Sequence, residues 1–228
     1  MRNFTQLIAF CSLLLALASC GKEKSVDTLG TTPGGSSGNG NGNGSGSGSG
    51  GGGTSNGSEV GNWKFITMHA ITSETIEFSM GSDAIKLVTT SDYTTDNNSG
   101  NVKFDGTTMF TNDVAFSVNS TAKTAMYTNG VLLTSQNAPF AATMPATTST
   151  TNYKKIATDS LYFAAGVMSG LDPNGSVTTK PGGYKLKWDG DKMYMTMNYA
   201  EITNEDDGMG NMQKITTKVT TVTTVQKQ

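Results

Sequence analysis

Residues 184–199 alternate in polarity with a period of two, and an Asp-Gly pair interrupts them near the middle. Tyr184, Leu186 and Trp188 alternate with Lys185 and Lys187. After Asp189-Gly190, Met193, Met195, Met197 and Tyr199 alternate with polar residues or Tyr194. A period of two places every second side chain on one face of a strand. Asp-Gly between two such runs predicts a hairpin. Asn129-Gly130 repeats the signal between 123–128 and 131–134, and Asp105-Gly106 lies between 102–104 and 114–118. Further alternating runs occupy 63–70, 75–80, 85–90, 161–165 and 215–225. Long amphipathic helical patterns are missing. About ten short strands joined by turns predict a mainly β domain, an antiparallel barrel or a sandwich.

That domain occupies residues 59–228, long enough for a substantial core. Residues 28–58 are almost entirely Gly, Ser, Asn and Thr and cannot bury enough apolar area to offset the entropy of ordering. With the residues before it, this stretch makes 20–58 a flexible tether, whose low-complexity part has an r.m.s. span of about 30 Å. It contains a G-x-S-x-G at Gly34–Gly38 and a G-x-G-x-x-G at Gly46, Gly48 and Gly51. Neither lies between a strand and a helix, the setting that nucleophile and dinucleotide chemistry require.

Residues 1–19 read as a signal peptide. Arg2 supplies the positive charge, and 7–17 (LIAFCSLLLAL) is an uncharged apolar run too short to span a bilayer as a helix. It ends in Leu17-Ala18-Ser19-Cys20, which resembles the lipobox of bacterial lipoproteins. The resemblance implies cleavage before Cys20 and acylation of its thiol, with stable membrane anchoring through more than one acyl chain. No Asp follows Cys20, which by analogy with enteric lipoproteins points to the outer membrane. Cys11 would leave with the signal, so no internal disulfide remains and the core alone must hold the domain.

The formal charge is −2, and Arg2 is the sole arginine. Without guanidinium groups or a lysine cluster, nucleic acid is not an expected partner. His69 is the sole histidine, which leaves a catalytic triad or a histidine-based zinc site without members. The carboxylates are scattered and mostly beside turns, where Asp serves the backbone. The acidic stretch 204–208 departs from the EF-hand pattern and reads as a solvated loop. Met193, Met195 and Met197 share one strand face; Met209 and Met212 add M-x-x-M. Core filling ranks first for such methionines, pocket lining second and Cu(I) binding third. No catalytic residue, metal site or cofactor is expected.

Gly61-Asn62-Trp63 opens the first strand directly after the tether. It resembles the G-x-W that opens the first strand of lipocalins and lipocalin-like lipoproteins, the calycin type of barrel. The resemblance implies eight antiparallel strands, a tryptophan plugging one end and an apolar ligand entering the other. In that family a late arginine stacks on the tryptophan. Here Lys218 or Lys227 would have to substitute. Three functions follow, in this order. The first is a barrel binding a small apolar ligand through Trp63, Phe65, Met193, Met195, Met197 and Tyr199. The second is a cell-surface sandwich binding glycan or protein through Tyr153, Tyr162, Tyr184 and Tyr194. The third is a hydrolase built on converging carboxylates.

Overall fold

The structure is a computed structural model that describes residues 57–171, 177–206 and 211–228. Residues 1–56, which carry the predicted signal, Cys20 and the tether, lie outside the described residues, as do Asp172, Asp207, Gly208 and Met209. The compact unit containing the described part spans Gly53–Gln228. It is mainly β, with one antiparallel sheet of nine strands and no helix among the described residues.

The strands are β1 (Gly61–Met80), β2 (Asp83–Thr94), β3 (Asp96–Phe104), β4 (Thr108–Thr128), β5 (Val131–Ala157), β6 (Ser160–Leu171), β7 (Val177–Asp189), β8 (Lys192–Asp206) and β9 (Met212–Lys227). They are fewer and longer than predicted. The runs 63–70 and 75–80 are one strand, β1, and the runs 114–118 and 123–128 are both parts of β4.

Each consecutive pair from β3 to β9 is hydrogen-bonded, and β9 returns to β1. The sheet therefore closes on itself as a ring. β2 and β3 lie end to end between β1 and β4: β2 faces the far halves of both neighbours, and β3 faces their near halves. Nine strands thus fill eight positions, all up-and-down. Thr95 splices β2 to β3. Its N–H donates to the Met68 carbonyl at 2.9 Å, and its hydroxyl accepts from the Met68 N–H at 2.9 Å.

Turn chemistry sets the registers. Thr128 pairs with Val131, leaving Asn129 (φ 50°) and Gly130 (φ 81°) as a two-residue loop with two positive φ angles, as a type I′ turn requires. At the predicted Asp189-Gly190 turn, Asp189 pairs with Lys192. The loop is therefore Gly190-Asp191, with positive φ only at Gly190, the type II′ pattern. Asp105 opens a longer turn. Its carboxylate accepts from the backbone N–H groups of Thr107 (2.9 Å) and Thr108 (2.7 Å), which hold it below the usual aspartate value.

Bulges bend the ring where β1, β3 and β4 meet. Register shifts lie between Phe65 and Thr67, around Ser99, and near Val114. Asn97, Gly100 and Asp113 take positive φ there. Such shifts increase local twist and curvature, which closure needs.

β5 was legible only over 131–134. Residues 131–152 pair with β4 on one side, whereas pairing with β6 starts at Tyr153. The upper part of β5 is an edge among the described residues, and it is exposed over most of its length. Pro139 and Pro145 sit there, where a missing N–H is tolerated and where proline blunts unwanted pairing.

Candidate ligand site

Side chains paired across strands share a face, so the buried residues define the inside of the ring. Trp63, Phe104, Phe116, Phe163, Met68, Leu161, Met193 and Met197 are fully buried in it. Aromatic contacts run around the end where the chain enters: Phe104 on Tyr153 (5.6 Å between centroids), Tyr153 on Phe163 (5.6 Å) and Phe163 on Tyr184 (5.3 Å). Such tilted and edge-on pairs add to the area they bury.

Trp63 seals that end. Its ring is 2% exposed, its indole N–H donates to the Glu59 carbonyl at 2.7 Å, and the Lys227 ammonium lies 5.9 Å from its ring centroid. The expected cationic partner is thus Lys227; Lys218 points outward on β9. Residues 57–60 lie across the same end. Gly57 touches Trp188 so closely that a Cβ would fall 2.3 Å from the indole, and the buried Glu59 carboxylate meets the Lys155 ammonium at 2.6 Å. Burial, and then the nearby Glu59 charge, push the Tyr153 phenol up to about 12. The Glu59–Lys155 latch joins residues far apart in sequence, and nothing in the local pattern signals it.

The six residues expected to contact ligand all lie on the inner face. Trp63, Phe65, Met193, Met195 and Met197 are between 0 and 3% exposed and belong to the packed core. Only Tyr199 is partly open. The methionine row is therefore a floor beneath the opposite half of the ring. Above it, Phe140, Tyr199 and Val219 are partly exposed and rest on the core. Glu74 and Glu201 occupy the same face on either side of Thr217, two strands apart. The Tyr199 hydroxyl donates to Glu201. In this half the lysines of β2, β4 and β9, Lys86, Lys123, Lys214 and Lys218, point outward; Lys214 pairs with the outward Glu77 at 3.5 Å.

Two hydroxyls sit in the floor without partners. Tyr184 and Thr221 are 2% and 1% exposed, flank Met197 across the sheet, and have no hydrogen-bond partner among the described residues. Burial pushes the Tyr184 phenol up. A buried polar group left unpaired costs about 1–3 kcal/mol. Thr221→Val and Tyr184→Phe are therefore each expected to stabilise the domain by about 1 kcal/mol in urea unfolding. A loss of similar size would show that the hydroxyls are hydrogen-bonded in solution.

The remaining sequence candidates do not converge. His69 and Asp92 meet at 2.7 Å on the outer face, both well exposed. Tyr153 and Tyr184, expected as surface aromatics, are buried in the core, because their strands turn them inward toward Phe163; Tyr162 is 39% exposed. Met212 is 62% exposed at a hairpin end. Among the described residues no three His, Cys, Asp or Glu side chains gather as a metal site. Comparison with family models, curated proteins and solved structures finds no match.

Proposed function

We propose that this is a lipid-anchored protein of the bacterial cell envelope, at the outer membrane, whose ring is a lipocalin-like barrel that takes a small apolar ligand. The reading rests above all on the sealed end: an up-and-down ring of eight positions, stopped by Trp63 from the G-x-W segment and stacked by a late cation, Lys227. A ring stopped at one end leaves the other for a ligand. The partly exposed Phe140, Tyr199 and Val219 supply an apolar surface there, with the methionine floor below. The anchor follows from the lipobox-like segment ending at Cys20.

Native mass spectrometry of the full chain released from detergent micelles tests both halves. The covalent mass should correspond to a chain beginning at Cys20 and carrying acyl groups. A separate apolar mass should leave on denaturation and be absent from Val219→Trp, which fills the mouth without touching the seal. An unacylated chain would overturn the anchor. No adduct, or one that survives Val219→Trp, would overturn the ligand site.

A further inference from the structure

On the outer face of the ring, where β1, β3 and β4 run side by side, lies an open depression of about 420 Å³. That volume falls within the roughly 300–1,000 Å³ of small-molecule sites. Asn62, Asn101, Asn112 and Gln228 line it with planar amides, Lys103 adds one ammonium, and Phe110 adds an aromatic ring 37% exposed. The positions follow from register. Lys103 pairs with Phe110, Asn101 with Asn112, and Asn62 with Lys103. All five project away from the core because Trp63, Val102, Phe104 and Met109 project into it.

The amides are already oriented. The Gln228 side-chain amide donates to the Asn101 carbonyl oxygen at 2.8 Å, and the Gln228 backbone N–H donates to the Asn62 backbone carbonyl at 3.0 Å. The first bond uses an Asn101 acceptor, while the Asn101 side-chain NH2 carries two further donors. The Lys103 ammonium lies 5.9 Å from the Phe110 centroid, close enough to be drawn to the ring and free to swing off it.

We propose that this depression binds a saccharide. Side-chain amides offer a donor and an acceptor in one plane, which matches neighbouring hydroxyls that each donate and accept. An exposed ring face accepts the C–H side of a pyranose, burying apolar area while the hydroxyls keep their partners. Among the described residues no carboxylate lines the depression and one lysine does, which gives an advantage to a sugar bearing an acidic substituent. Phosphate-rich polymers are poorly served by one lysine without arginine. The site lies on the opposite face of the sheet from the apolar mouth, so either assignment can fail without the other.

The full chain would be applied to an array of neutral and uronic-acid-bearing oligosaccharides, and hits titrated by calorimetry. Phe110→Ala is expected to weaken binding at least tenfold, and Asn101→Ala several-fold. Both residues are exposed, and circular dichroism would check that the fold is kept. Tyr162→Ala removes the other aromatic exposed among the described residues and should leave binding unchanged. Absence of any bound saccharide would overturn the proposal. So would binding that survives both Phe110→Ala and Asn101→Ala, or binding that depends on Tyr162.

Discussion

Trp63→Ala is expected to cost about 3–5 kcal/mol, the range for removing a buried large aromatic. Three losses coincide at this position. Its loss leaves a void in the core at the sealed end, where neighbouring strands are paired on both sides and cannot close in. The Glu59 carbonyl loses the indole N–H, and Lys227 loses the face it covers. The Glu59 segment is then held chiefly by its contact with Lys155. Single domains are stable by only about 5–15 kcal/mol, so the variant should unfold at a much lower urea concentration or fail to fold. Trp188 remains as a fluorescent reporter. A loss below about 1 kcal/mol would mean that this end is not sealed by Trp63.

The second large effect belongs to Gly100. It has φ +100°, and a Cβ there would lie 2.5 Å from both the Asp113 carbonyl oxygen and the Val114 Cα. Both are backbone atoms, so no side-chain rotation relieves the overlap. The positive φ alone costs about 1–3 kcal/mol for a residue with a side chain. Separating β3 from β4 would add the loss of the neighbouring Asn101–Asn112 and Val102–Thr111 pairs. Gly100→Ala should therefore cost about 3 kcal/mol or more. Gly81 and Gly130 provide the comparison. Both have positive φ, but an added Cβ meets nothing within 4 Å. Alanine there should cost only about 1 kcal/mol. Equal effects at all three sites would show that β3 and β4 do not approach each other this closely at the bulge.

The legible parts of the fold share a physical reason. Where a strand buries one face, alternation records it, as in 184–188 and 193–199. Where two residues must take positive φ, Asn-Gly records that too. Most of β5 escaped detection because its edge segment buries neither face except over 140–144, where the inward side chains are only partly buried. The break between β2 and β3 escaped because Thr95 continues the ladder through its hydroxyl as well as its backbone. In the candidate site, Trp63 and its cationic partner were anticipated from a short motif and from the scarcity of alternatives. The methionines show the limit. Alternation establishes that Met193, Met195 and Met197 share a face, but whether that face meets a void or Leu161, Phe163 and Val225 depends on strands elsewhere in the chain. Thr221 and Tyr184 were invisible as unpaired hydroxyls for the same reason: their isolation is a property of what surrounds them.

The chain enters the ring across its sealed end, through Gly57, Glu59 and Trp63, and β1 then runs the full length to Met80. Any attachment upstream of Gly57 therefore grips the domain by its base. The rim is at the other end, where Val131, Leu132 and Leu133 stand exposed beside the Asn129-Gly130 turn. Chain entry and rim are therefore separated by the full length of β1, so a label at Leu132 reports on the end of the ring away from Trp63.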